Sequence, residues 1–112
     1  MEVIAKTKSV RISPRKVRLV ADSIRRMSAL EAVNKLSIIN KRAALTIAET
    51  LKSAIANGVN NFKVSEASLF IKGIEVDEGP FLKRFRPSTR GRVHPYKKRS
   101  SNIKIILEEA GK

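Results

Sequence analysis

The stretch from Gly79 to Leu107 holds nine Lys or Arg residues and no Asp or Glu. The bases are Lys83, Arg84, Arg86, Arg90, Arg92, Lys97, Lys98, Arg99 and Lys104. Like charges at this density repel, and few apolar side chains lie among them to bury. An internal segment of this kind cannot fold onto itself cheaply. The sequence on both sides reads as strand, which excludes a terminal tail. The pattern predicts an extended basic β-hairpin over residues 79–101, projecting from a single small domain that takes in residues 1–112. Its natural counterpart is a polyanion.

The rest of the chain fits that division. Net charge is +14, which costs stability through self-repulsion and has a simple physical reason in nucleic acid. Residues 1–31 carry eight bases and three acids, and residues 32–78 carry six bases and five acids. The nearly neutral middle is therefore the candidate core. Aromatics make up 4% of the chain and hydrophobic residues 42%, so that core is aliphatic. The absence of cysteine excludes disulfides, thiol catalysis and thiolate metal sites. No apolar run approaches the ~20 residues that span a bilayer, and the first ten residues lack the apolar region of a secretory signal.

Along the chain, Val3 to Val10 alternates, with Val3, Ala5 and Thr7 on one side; Lys6 and Lys8 mark an edge strand. Ser13-Pro14 starts a helix, with Ser13 as N-cap and Pro14 at the first position. Val17, Val20, Ala21 and Ile24 give it one apolar face. Arg11, Arg15, Arg18 and Arg25 fall on another, joined in sequence by Lys16. Asp22 is the only acid near, so pairing along the helix does not explain these bases, and phosphate contact is expected. Ser28 and Glu31 form a capping box for a short helix. Asn40 is expected to cap the longest helix, and Gly58 to stop it in a left-handed conformation. Ala44, Ile47, Ala48, Leu51, Ala54 and Ile55 form its apolar stripe, and Gly58 to Asn61 reads as a connection. Ala67 to Asp77 is a strand with a bulge at Gly73, where inward parity switches from Leu69 and Ile71 to Ile74 and Val76. Asn102 to Leu107 is the returning strand, with Ile103, Ile105 and Leu107 inward.

Between those strands, Gly79-Pro80 ends the body and Pro87 to Gly91 is a turn cluster, with Gly91 able to supply positive φ. Each arm of roughly 10 residues reaches roughly 30 Å if extended. Phe81, Phe85 and Tyr96 interleave with the bases and could stack on unpaired nucleotides or pack across the stem. Catalysis finds little support: His94 is the only histidine, and it lies inside the basic loop. Glu75 and Asp77 share a strand face, but read as a solvated edge or a counter-charge rather than a metal site. No cofactor is expected.

Several ordered blocks carry a family resemblance. They are Ser13-Pro14-Arg15-Lys16-Val17-Arg18-Leu19-Val20-Ala21-Asp22, Ser53-Ala54-Ile55-Ala56-Asn57, Val76-Asp77-Glu78-Gly79-Pro80, Lys83-Arg84, Gly91-Arg92 and Lys98-Arg99-Ser100-Ser101. The chain resembles the bacterial-type large-subunit ribosomal protein twenty-two family along essentially its whole length. The resemblance implies an α+β fold, with a small three-stranded antiparallel sheet packed with three helices and one long protruding β-hairpin. It implies a non-enzymatic role: binding large-subunit ribosomal RNA in the cytoplasmic ribosome, aiding assembly, and lining the nascent-peptide exit tunnel with the hairpin tip. Partners implied are that RNA, ribosomal protein four at the constriction and the nascent peptide, with no membrane and no homo-oligomer. RNA contact then falls to Lys6, Lys8, Arg11, Arg15, Lys16, Arg18, Arg25, Lys83, Arg84, Arg86, Arg90, Arg92, Lys97, Lys98 and Arg99. The tunnel tip is Arg86, Pro87, Ser88, Thr89, Arg90, Gly91, Arg92 and Val93. Three departures stand out: the run after Pro87 lacks the usual Arg-Ala, Pro95 enters the returning arm, and Asn102 replaces a common His. The alternative from charge alone is a DNA-compacting architectural protein.

Overall fold

Apolar alternation and helical spacing between them build a small α+β body. The computed structural model describes residues 2–79, 82–87, 93–98 and 100–109, with backbone alone at 82–87 and 93–98. In order come β1 (Glu2–Val10), α1 (Pro14–Asp22), α2 (Ala29–Ile38), α3 (Arg42–Phe62), a 3-10 turn (Glu66–Ser68), β2 (Leu69–Glu78), β3 (Leu82–Pro87), β4 (Val93–Lys98) and β5 (Ser101–Glu109). The sheet runs β1-β5-β2, antiparallel throughout, and β3 and β4 form a separate two-stranded ladder. The chain extends 67 Å along its longest axis against 25 and 17 Å across.

β5 is the central strand because it is apolar at every second position and loses both edges to partners. Ile105 stands opposite Ala5 on one side and Ile74 on the other. Ile103, Ile105 and Leu107 are fully buried, with Val3, Ala5, Ile71, Ile74 and Val76 on the same face. Against that face α3 lays Ile47, Leu51, Ala54 and Ile55. Each such Ile or Leu contributes about 1.5–3 kcal/mol by leaving water. β1 is an edge strand, as its lysines predict. The expected bulge lies in β2 between Ile71 and Gly73, and β1 carries a second irregularity between Thr7 and Val10. There Ser9 takes φ 58 and donates its amide to Asn102 Oδ1 at 3.0 Å. The unusual Asn102 thus stitches the edge strand to β5.

The helix ends differ from the sequence expectation. Lys41, not Asn40, precedes α3. Gly58 does not stop α3: it lies buried inside the helix, which runs on through Phe62 to a left-handed Lys63 at φ 57. Residues 58–61 are therefore helix, not connection. The reason is proximity. A Cβ at Gly58 would sit 3.1 Å from Leu69 Cδ1 and 3.5 Å from Val3 Cγ2, so glycine serves helix-to-sheet approach. Ser13 has the extended backbone of an N-cap but makes no side-chain cap bond; its carbonyl accepts from Lys16 and Val17 instead. Half of the capping box forms, with the Glu31 amide donating to Ser28 Oγ at 3.3 Å. Ala67 belongs to the 3-10 turn rather than to the strand. Thr50, buried in α3, donates to the Thr46 carbonyl at 3.0 Å and meets Thr7 Oγ1 at 2.7 Å, joining helix to edge strand.

Candidate nucleic-acid interface

Most of the body's candidate RNA-binding bases occupy three settings. The first is a cleft of about 690 Å³ between the starts of α1 and α3, lined by Arg11, Ile12, Ser13, Lys16, Leu19, Lys41, Arg42 and Ala43. Arg11 lies in the turn ahead of α1, not on its face, and accepts a bond from Arg42 Nη2 on its carbonyl at 3.3 Å. Arg11, Lys16, Lys41 and Arg42 are all exposed, and among the described residues no acid lines the cleft. Lys41 and Arg42 escaped the sequence reading because they fall in the nearly neutral middle. The available signal was a helix start without an acid: cations there oppose the helix dipole and so need another purpose.

The second setting is the open edge of β2. Arg18 donates from Nε and Nη2 to the Val76 carbonyl at 3.2 and 2.7 Å. Arg25 donates from Nη1 to the Ile74 carbonyl at 2.9 Å and from Nε to Asp22 at 2.7 Å. The Ile71 amide donates to the Met27 carbonyl at 2.9 Å, beside a bridge between Ser28 and Phe70. An edge that would otherwise offer free carbonyls to another strand is thereby covered. These two arginines carry structural bonds that charge counting did not reveal. Arg15 stands exposed on α1.

The third setting is the sheet face turned away from the helices. Lys6 stands opposite Lys104, which lies 4.0 Å from Glu75. Lys72 bonds both Glu2 and Glu108, the latter at 3.1 Å. The Lys72 ammonium, through its hydrogen bond and its charge, holds the Glu2 carboxyl below the usual range, and the two carboxylates raise Lys72 in return. Lys6 and Lys8 are exposed on this ion-paired face, so the face is more neutral than its lysines suggest. Asp77 is exposed near Lys8 and Asn102. Among the described residues no group of His, Cys, Asp or Glu could hold a metal ion, and no helix is long and apolar enough to cross a membrane.

In the hairpin, Lys83, Arg84 and Arg86 lie in β3 and Lys97 and Lys98 in β4. Lys83 stands opposite Lys97, Arg84 opposite Tyr96, Phe85 opposite Pro95 and Arg86 opposite His94. Pro95 is thus accommodated within a two-stranded ladder, where a strand keeps an open edge. Like charges directly opposite destabilise a ladder, and neither strand contains an acid to offset them. Of the expected tip, Arg86, Pro87 and Val93 belong to the strand ends. Ser88, Thr89, Arg90, Gly91 and Arg92 lie outside the described residues, as do Phe81 and Arg99. At the root, the Gly79 amide donates to the Ser100 carbonyl at 2.9 Å, and the buried Ser101 hydroxyl donates to the Ile12 carbonyl at 2.6 Å.

Comparison with known proteins adds the family. The sequence pattern of the family described as ribosomal protein L22p/L17e matches residues 5–108. A Thermus thermophilus protein named large ribosomal subunit protein uL22 is 53% identical over 109 residues, covering 97% of this chain and 96% of that protein. Proteins of the same name from Mycoplasma mycoides and Fusobacterium nucleatum are 49% and 48% identical, each over 97% of this chain and 98% of their own length. With the β1-β5-β2 sheet, the three helices and the separate basic ladder, these matches show that the chain belongs to the ribosomal protein L22p/L17e family.

Proposed function

We propose that this chain is a structural constituent of the large ribosomal subunit of a bacterial-type cytoplasmic ribosome, held by large-subunit ribosomal RNA and acting without catalysis. The observation that carries this reading is family membership along nearly the whole chain, with relatives named as large-subunit proteins. The physical support is the basic ladder, in which Lys83 stands opposite Lys97 and neither strand contains an acid, and whose charge a polyanion would offset. Lys6, Lys8, Arg11, Arg15 and Lys16, with the remaining donors of Arg18 and Arg25, position the body on phosphates. The basic hairpin of residues 79–101 ties separate RNA segments together. Neutralising their phosphates lets those segments approach during assembly. The tip, Arg86 to Val93, lines the nascent-peptide tunnel beside ribosomal protein four.

Sedimentation tests the reading. The tagged protein is expected to travel with large subunits, and its absence from them would refute the proposal. Affinity for large-subunit RNA fragments is expected to fall by orders of magnitude between about 50 and about 200 mM salt, as ~6–10 phosphate contacts require. A photo-reactive residue in place of Arg90 is expected to crosslink to tunnel RNA, to protein four or to the nascent chain. Crosslinks to none of these would remove the tip from the tunnel.

A further inference from the structure

We infer that the cleft between α1 and α3 is a pocket for one unpaired RNA nucleotide, with its phosphates on the cations and its base against Leu19. This rests on the reading of the chain as an RNA-binding protein, and adds to it a defined site and a class of ligand. Four cations converge there, Arg11, Lys16, Lys41 and Arg42, with no acid among the lining residues. The bond from Arg42 to the Arg11 carbonyl ties the two sides together. Neither α1 nor α3 has a side-chain cap or an acid in its first turn, so the field is positive throughout. A surface made only for a duplex backbone needs no concavity and no apolar wall. This cleft has both: Leu19 is 63% exposed in a cleft of about 690 Å³, within the range of about 300–1,000 Å³ that encloses small ligands. A base swung out of a helix buries its face on such a wall, while its flanking phosphates meet the forked donors of arginine.

The test compares an RNA hairpin carrying a one-nucleotide bulge with the same hairpin fully paired, using the full chain. Wild type is expected to prefer the bulged RNA by about tenfold, the worth of one well-buried apolar contact. Leu19→Ser is expected to abolish the preference. Lys41→Gln with Arg42→Gln is expected to weaken binding and reduce the salt slope by about one to two. Lys52→Gln, a base on α3 outside the cleft, is expected to keep the full preference. These positions are exposed, and thermal melts of each variant check that the loss of the Arg42–Arg11 bond leaves the fold intact, so that binding differences report the cleft. Equal affinity of wild type for both RNAs overturns the inference, as does a preference that survives in Leu19→Ser or an unchanged salt slope in Lys41→Gln with Arg42→Gln. Tighter binding of poly-glutamate than of bulged RNA, lost in the same variants, would assign the cleft to an acidic protein and overturn it too. A large-subunit RNA fragment is titrated in parallel. Its failure to bind wild type would sink the ribosomal reading together with the cleft, whereas its binding without bulge preference would sink the cleft alone.

Discussion

Arg18 crosses from α1 to place two N–H donors on the Val76 carbonyl, at 2.7 and 3.2 Å. A residue that looks like a phosphate ligand in the sequence therefore also closes the edge of a sheet. Arg18→Met is expected to lower stability by about 1 kcal/mol, below the usual range for a charged hydrogen bond because the site is accessible to water. Lys16→Met, one helical position set apart from that edge, should leave stability unchanged and lower the salt slope of RNA binding by about one. Urea unfolding and RNA titration of the same two variants separate these roles. Equal effects on stability would contradict the division.

Lys63 holds the left-handed helix end that the sequence assigns to Gly58. Lys63→Gly relieves a left-handed conformation at the end of α3 and is expected to gain up to about 1 kcal/mol. Gly58→Val forces branched carbons against Leu69 and Val3 and is expected to lose about 1–3 kcal/mol. Calorimetric midpoints moving in the reverse directions would reinstate Gly58 as the helix stop.

The hairpin root has little room. A Cβ at Gly79 would lie 2.7 Å from Ser100 Oγ and 3.1 Å from Asn102 Oδ1. Gly79→Ala is expected to cost about 1–3 kcal/mol, and adding Ser100→Gly should recover part of the loss. A double-mutant cycle measures that coupling; additive effects would mean that the clash is relieved elsewhere.

The Glu2–Lys72–Glu108 cluster gives a pH signature. Glu2 is held below its ordinary 4.5, so its contribution is present above that value and is lost as pH falls through the lowered folded value. Lys72 is raised above its ordinary 10.5, so its contribution is present below that value and is lost as pH rises through the raised one. The stability gap between wild type and Lys72→Met should be widest between these limits, close outside them, and shrink with salt. A gap that does not vary with pH would rule the cluster out.

No strand of the body sheet comes from the hairpin. Removing residues 83–93 is therefore expected to leave cooperative unfolding of the body intact, with a circular-dichroism midpoint within a few degrees of wild type, since the aliphatic core is untouched. Loss of cooperativity would make the hairpin part of the core.

The body was legible in the sequence where side-chain period decides the outcome. Val17, Val20, Ala21 and Ile24 are all buried, and so are Ile103, Ile105 and Leu107. The bulge at Gly73 could be read because inward parity changes there. Helix ends were less legible, since Gly58 is a good stop by local chemistry and is overruled by how near β2 and β1 lie. The candidate interface was legible as charge but not as arrangement. Nothing local in Arg18 or Arg25 announces a carbonyl on β2, and Lys41 and Arg42 reach Arg11 and Lys16 only through tertiary structure.

The central position of β5 bears on the order of events during synthesis. Its residues pair with β1 from Glu2 opposite Glu108 onward and with β2 on the other side, yet it follows every other element in the chain. Until β5 emerges, β1 and β2 have no partner between them and the core stays open. Pairing at such sequence separation is slow, so the hairpin is made before the body that carries it can close. A nascent chain in this interval already displays its full basic arm, and RNA can engage the arm while the body is still completing its fold.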